Sequence, residues 1–191
     1  WKDRGLRGEG VVIGVIDSGI APGHISFKDT IPAKRPRVCR SAWAENSLLG
    51  LWLCKRFKSR PDQVIFATPA SWQGQCQAGE GFATTDCNNK LIGARYYNAG
   101  FGGDDAVSAL FPYEYLSPRD ADGHGTHTAS TSGGNEGVST SGSVAAAFGP
   151  INGMAPRARI AAYKVCWGRG GPPAGCWNSD SVAAIEQAIV D

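Results

Sequence analysis

One apolar run, residues 11–16, constrains the fold of this chain more than any other feature. The run has the sequence VVIGVI and lies between Gly10 and Asp17. A strand with one face in water alternates apolar and polar residues, whereas a strand covered on both faces does not. The run therefore predicts a strand buried on both faces of a parallel sheet. Residues 91–97 and 160–165 predict two further strands.

Two segments have the pattern of helices. Residues 124–132 are mostly small, so a helix there could pack closely on a sheet. Near residue 191, three apolar residues fall on one helical face, and two residues are available as the N-cap. The face contains Val182, Ile185 and Ile189, and the candidate caps are Ser179 and Asp180. Strands that alternate with helices indicate an α/β layer fold with a parallel sheet.

The composition excludes several classes of protein. Of 191 residues, 42% are hydrophobic and 19% are charged, which is typical of one folded domain and not of a disordered tail or a coiled coil. The net charge of +2 argues against a dedicated nucleic-acid binder. No apolar run approaches the roughly 18 residues that a membrane span needs. Because the chain begins at Trp1 and ends within a helical pattern, we expect a piece of a longer protein.

Six cysteines form three closely spaced couples, which favours local disulfides, although six cysteines allow 15 pairings. The couples are Cys39/Cys54, Cys76/Cys87 and Cys166/Cys176. A zinc site is the alternative, but no pair has the tight spacing of a zinc knuckle and the histidines are not placed to complete one. Disulfides indicate an oxidising compartment, so we expect a secreted protein. The sequence has no Asn-x-Ser/Thr acceptor for N-glycosylation.

Residues 28–90 interrupt the alternation of strands and helices. They contain four cysteines, three tryptophans and two basic patches, at residues 34–37 and 55–58. A structureless loop of this length is uncommon inside a compact domain, so we expect a self-packed, disulfide-rich insertion. We expect the basic patches to form a solvated face, with a binding site as the alternative.

Two short motifs contain candidate catalytic residues. Asp17 follows the first predicted strand directly, and reacting groups in open α/β sheets collect at the carboxyl ends of strands. The alternative is a turn-forming or capping aspartate. The second motif, DGHGTH at residues 122–127, places His124 and His127 about one helical turn apart. A metal site is one alternative there, but the motif lacks the glutamate and the four-residue spacing of zincin helices. The other alternative is that both are helix-capping or core histidines.

A third motif, Gly-Met-Ala-Pro at residues 153–156, leads into the third predicted strand. The three motifs, in this order, resemble those of the subtilisin-like serine peptidases (subtilases), and more closely those of their plant-type, cucumisin-like branch. The resemblance covers most of the chain. It continues through residues 72–76, 79–82, 87–95 and 162–167 and the final helix.

The resemblance implies a three-layer α/β fold with a parallel sheet that is incomplete at its C-terminal side. It also implies a serine endopeptidase with an Asp-His-Ser triad. Asp17 matches the family's acid, and His124 matches the general base that takes the nucleophile's proton and later protonates the leaving amine. His127 is interpreted as structural, and His24 as a surface-turn residue without a catalytic role.

The resemblance also suggests where a polypeptide substrate binds. Gly175, Cys176 and Trp177 lie where the family presents an edge strand, which would bind an extended peptide through main-chain hydrogen bonds. We expect neither nucleic acid nor a membrane span as a partner, and no cofactor. Four aspartates could offer oxygen ligands to calcium, but we interpret them as solvated or capping and expect no metal. They are Asp104, Asp105, Asp120 and Asp122.

The sequence departs from the family in two ways. An insertion from about residue 33 to residue 70 carries Cys39 and Cys54, which the plant pattern lacks; together with the missing glycan acceptors, this favours a bacterial relative. The chain also contains no Gly-Thr-Ser-Met-Ala element and no matching oxyanion asparagine. We therefore expect the chain to be inactive without the C-terminal part of the same catalytic domain. The alternative is a non-catalytic, subtilase-derived peptide-binding module.

Overall fold

The computed structural model of the chain describes residues 5–31, 47–58, 63–64, 66–67, 69–140, 147, 149–169 and 173–191. The strands are β1 (Val12–Asp17), β2 (Thr30–Ile31), β3 (Gln63–Val64), β4 (Leu91–Tyr96), β5 (Arg159–Lys164), β6 (Cys166–Trp167) and β7 (Gly175–Cys176). The α-helices are α1 (Leu48–Lys58), α2 (Asp104–Leu110), α3 (His124–Gly133) and α4 (Asn178–Val190). Among the described helices, none has the length and apolar character to cross a bilayer.

The chain divides into two compact units. The main unit comprises Trp1–Lys28 and Thr68–Asp191, and the insert unit comprises Asp29–Ala67. The excursion predicted at residues 28–90 is therefore shorter in the structure, because the segment from residue 69 onward packs with the main unit. The backbones of Cys76 and Ala94 form an isolated parallel β-bridge there, and the indole of Trp72 donates a hydrogen bond to the carbonyl of Ile92.

The main unit is built on a parallel sheet with the strand order β1-β5-β4. All three predicted strands are present, and their bounds differ from the prediction by one residue, at both ends of β1 and β5 and at one end of β4. The central strand β5 pairs with both neighbours, so that Asp17 of β1 and Tyr96 of β4 both lie beside Lys164. This register brings the carboxyl ends of the three strands to one edge of the sheet.

Helices cover both faces of the sheet, which confirms the α/β fold. On one face, Ala129 of α3 packs in a cluster with Ile13 and Ile160. On the other face, Ala184 and Ala188 of α4 pack against Ala161 and Tyr163. The small side chains of both helices allow their axes to lie close to the strands.

Helix α4 differs from the prediction at its start. The N-cap is Trp177, which makes no side-chain capping bond, so the prediction of Ser179 or Asp180 was wrong. Asp180 lies inside the first turn, buried, and accepts a hydrogen bond from the Gly100 amide at 2.9 Å, so a tertiary contact takes the side chain that local pattern assigned to the cap. The predicted apolar face of the helix is also exposed, by 53% at Val182, 50% at Ile185 and 80% at Ile189.

Two of the predicted disulfides are present: Cys76 is bonded to Cys87, and Cys166 to Cys176. Cys54 is also disulfide-bonded, and its predicted partner, Cys39, lies outside the described residues. The Cys166–Cys176 bond joins β6 to β7, whose antiparallel pairing places these two cysteines opposite each other.

The Gly-Met-Ala-Pro motif is fixed to the start of β4 by a buried lysine. The Lys90 ammonium donates hydrogen bonds to the carbonyls of Pro156, at 3.0 Å, and Ala158, at 2.5 Å. Burial, together with the charges of Arg157 and Arg159, lowers the pKa of Lys90 to about 7. The lysine thus satisfies two carbonyls of the turn that leads into the central strand.

The insert unit is described in part. Strands β2 and β3 pair antiparallel, with Thr30 beside Val64 and Ile31 beside Gln63. In α1, Gly50 and Cys54 are buried. These two positions are one helical turn apart and define the inner side of the helix.

Candidate active site

Asp17 and His124 meet at the carboxyl edge of the sheet. Asp17 is the last residue of β1, and His124 is the first residue of α3. The Nδ1 atom of His124 lies 2.8 Å from Oδ1 and 3.0 Å from Oδ2 of Asp17. The aspartate side chain is 13% exposed and the histidine side chain 69% exposed. The pair therefore combines a sheltered carboxylate with an imidazole that is open to a ligand.

Two glycines allow this approach between the end of β1 and the start of α3. A Cβ atom on Gly125 would lie 2.3 Å from the carbonyl oxygen of Gly19. Gly19 itself has φ +116°, and a Cβ there would lie 2.5 Å from the carbonyl oxygen of Pro118. Both positions exclude larger residues, because the obstructing atoms belong to the backbone.

Asp120 organises the turn that precedes α3. Its Oδ2 accepts hydrogen bonds from the amide of Thr126, at 2.8 Å, and from the Thr126 hydroxyl, at 2.5 Å. Its Oδ1 accepts from the amide of Gly123 and the hydroxyl of Ser18. Burial raises the pKa of Asp120, but the hydrogen bonds from Thr126, Gly123 and Ser18 outweigh burial and leave it below its usual value. The carboxylate thus joins the turn that carries His124 to the residue after Asp17.

Asp17 also controls the protonation of His124. The hydrogen bond between Asp17 and Nδ1, and then the negative charge of Asp17, raise the pKa of His124 above the usual histidine value. A carboxylate that accepts from Nδ1–H leaves the lone pair of the neutral ring on Nε2, on the opposite side of the ring. The pair can therefore present a basic nitrogen to a molecule bound beside it.

A buried ion pair lies next to this site. The Lys164 ammonium donates to Glu114 Oε2 at 2.7 Å, and the two side chains are 0% and 2% exposed. Lys164 also donates to the carbonyl of Arg119, while Glu114 Oε1 accepts from the amide of Gly168. Burial lowers the pKa of Lys164, against the opposing effect of Glu114. The pair ties the segment before Asp120 to the segment after β6.

A groove of about 360 Å³ opens beside the Asp17–His124 pair. Its lining includes Gly175 and Cys176, two of the three predicted substrate-binding residues, as well as the buried Trp167. Trp177 is not among the residues that line it; its ring packs edge-on against Phe101. The structure therefore brings the Cys166–Cys176 disulfide, but not Trp177, to the groove that contains the candidate base.

The other two histidines make hydrogen bonds of a different kind. The backbone amide of His127 donates to the Gly123 carbonyl within α3, and its side chain is exposed. His24 Nδ1 accepts from the amide of Ser26, so His24 caps a 3-10 turn. Among the described residues, no cluster of three or more His, Cys, Asp or Glu side chains is placed to hold a metal ion. Of the four aspartates considered as calcium ligands, Asp104 accepts from the Asn98 side chain and Asp122 from the His124 amide.

The raised pKa of His124 gives a first prediction. In an NMR titration of the chain, we expect His124 to titrate above the usual histidine pKa of about 6.5, and Asp17→Asn to bring the midpoint down. A raised pKa in the folded state means that the stabilisation by Asp17 is fully present below the unfolded-state pKa and is lost as the pH rises through the folded-state value. Asp104→Asn, which removes a carboxylate bonded to Asn98, should leave the midpoint unchanged. An unshifted midpoint in Asp17→Asn would contradict the assignment.

Comparison with known proteins identifies the class of protein that this fold and site define. The sequence profile of the subtilase family, peptidase S8, matches residues 8–191, and the chain belongs to this family. In Arabidopsis thaliana it is similar to the subtilisin-like proteases SBT1.7, at 46% identity over 74% of this chain, and SBT1.2, at 39% over 96%. It is also similar to the subtilisin-like protease SBT1.3 of that organism, at 35% over 100%. The chain spans 18–19% of the length of these relatives.

Proposed function

We propose that this chain supplies the acid and the general base of a secreted serine endopeptidase. The observation that carries the proposal is the 2.8 Å contact between Asp17 and His124 at the carboxyl edge of the parallel sheet. Membership of the subtilase family supports the reaction class, because subtilisin-type catalysis uses an aspartate and a histidine in this chain order. The nucleophilic serine and the oxyanion donors belong to the C-terminal part of the catalytic domain, which we propose as the partner of this chain.

In the proposed reaction, His124 Nε2 removes the proton from the serine hydroxyl as its oxygen attacks the scissile carbonyl. The ring then carries a positive charge, which the Asp17 carboxylate stabilises through Nδ1. The same proton passes from Nε2 to the leaving amine as the peptide bond breaks and an acyl-enzyme forms. Water repeats the sequence on the acyl-enzyme and releases the second product. The Nδ1 proton stays on the ring throughout.

The proposed substrate is an extended polypeptide that lies in the groove beside His124. Gly175 belongs to the short strand β7, which pairs with β6 through Trp167. A peptide that adds to such a strand is held by main-chain hydrogen bonds, which favour no particular side chain. The Cys166–Cys176 disulfide holds this wall of the groove together, and the disulfides support the proposal that the protein is secreted.

The experiment that tests the proposal is complementation. The chain alone should not hydrolyse peptides above background, because a base without a nucleophile and an oxyanion site cannot complete the reaction. Joining or co-expressing the chain with the C-terminal part of the catalytic domain of a similar subtilisin-like protease should restore hydrolysis that serine-directed organophosphates inhibit. Turnover by the chain alone, insensitive to His124→Ala, would overturn the proposal. Peptide binding without hydrolysis in the joined protein would favour a binding module instead.

A further inference from the structure

Helix α1 of the insert unit has an exposed apolar face on the side opposite its buried residues. The face consists of Leu48 (88% exposed), Leu49 (58%), Trp52 (72%) and Leu53 (49%). Positions 48 and 52 are four residues apart, as are 49 and 53, and 49 and 52 are three apart, so all four occupy one side of the helix. The buried Gly50 and Cys54 occupy the other side. The inner side of α1 is thus buried within its own unit, whereas the apolar face is left exposed.

The net positive charge of the chain lies in the insert unit. Residues 29–67 contain eight Lys and Arg against three Asp and Glu, a net charge of +5. The rest of the chain contains eleven Lys and Arg against fourteen Asp and Glu, a net charge of −3. The sequence of α1 includes three basic residues and no acidic residue. A partner of the insert unit should therefore be anionic.

From these two features we infer that the insert unit binds the surface of an anionic lipid bilayer through the apolar face of α1. Leucines and a tryptophan on one side of a basic helix are the pattern of helices that lie in the bilayer interface. The helix has 11 residues, about half of the 20 that cross the hydrocarbon core, so it would lie on the membrane and not span it.

Other occupants fit the two features less well. A soluble polyanion would pair with the basic residues but would leave four large apolar side chains in water. A stable protein interface buries about 800 Å² on each partner, more than one side of a helix about 16 Å long can offer by itself. A bilayer requires no matching partner surface and uses both the apolar side chains and the positive charge. This inference does not depend on the proposed peptidase activity.

The test is sedimentation of the 191-residue chain with lipid vesicles. We expect it to bind vesicles that mix phosphatidylcholine with phosphatidylglycerol, and to bind pure phosphatidylcholine vesicles about tenfold more weakly or worse, since each basic residue near an anionic surface contributes about 1 kcal/mol. Raising the salt concentration should weaken binding to the mixed vesicles. Leu49→Asn/Trp52→Asn should reduce that binding at least about tenfold, because two large side chains no longer enter the interface.

A matched control separates the apolar face of α1 from exposed apolar residues elsewhere. Ile185→Asn/Ile189→Asn changes two exposed residues of α4 in the main unit and should leave vesicle binding unchanged. Because all four substituted positions are at least half exposed, both variants should fold, which far-UV circular dichroism checks. Equal binding to neutral vesicles, an effect of the α4 variant equal to that of the α1 variant, or capture by a soluble polyanion but not by mixed vesicles would each overturn the inference.

Discussion

Replacing His124 with alanine in the joined protein, which contains this chain and a C-terminal catalytic part, should lower kcat by about 10⁵- to 10⁶-fold. In subtilisin, loss of the catalytic histidine lowers kcat by about 2 × 10⁶-fold, which sets the upper end of this range. The expected cause is that no other group can take the serine proton, since Asp17 contacts the ring only through Nδ1. The measurement is steady-state hydrolysis of a chromogenic peptide, with the serine variant of the joined protein as the background.

His127→Ala is the matched control for that experiment. His127 lies on the same helix, three residues further on, with an exposed side chain. The His127→Ala protein should keep kcat within about tenfold, whereas a metal mechanism would make both histidines essential. Equal losses in the two variants would contradict the assignment of the base to His124 alone.

Replacing Lys164 with methionine should destabilise the fold by about 3–5 kcal/mol, because Glu114 would stay buried without a counter-charge. For a chain of this size, that loss corresponds to a decrease in Tm of about 6–20 °C. The variant should also lose activity in the joined protein, since Lys164 and Glu114 hold the segments on either side of the groove. Thermal unfolding followed by near-UV circular dichroism gives the Tm.

The double variant Lys164→Met/Glu114→Gln distinguishes charge from packing. Removing both charges should recover much of the lost stability, whereas a defect in packing would be additive. Arg7→Met is the surface control: Arg7 pairs with Glu136 at a site where both side chains are about one third exposed, so its loss should cost less than about 1 kcal/mol. A Lys164→Met protein as stable as the Arg7→Met protein would show that the buried pair contributes little.

Features with a local pattern could be predicted from the sequence. The apolar runs gave the three strands of the main sheet, and the cysteine spacing gave the pairs Cys76–Cys87 and Cys166–Cys176. The pairing of Asp17 with His124 followed from family resemblance, because the 106 intervening residues contain no periodic signal that joins them. Local sequence patterns thus predict the strands and the disulfides, whereas the family resemblance predicts which residues meet in the candidate active site.

Features that depend on tertiary contact could not be predicted. Lys164 lies inside an apolar strand, where a buried charge needs a partner. Nothing in the sequence identifies Glu114, 50 residues away, as that partner. Asp180 was expected to cap α4, but the Gly100 amide binds it. In both cases the hydrogen-bond partner comes from a distant segment of the chain, which no local sequence pattern identifies.

The strand order β1-β5-β4 has a consequence for how the protein is made. The central strand β5 is the last of the three to leave the ribosome. Its residue Arg159 pairs with Val12 of β1, which was synthesised much earlier. At synthesis rates of about 5–20 residues per second, β1 waits on the order of ten seconds for its neighbour. During that time an apolar strand has no partner within the sheet, and closing so long a loop is entropically costly. We therefore expect the nascent chain to need protection from aggregation until residue 164 has emerged.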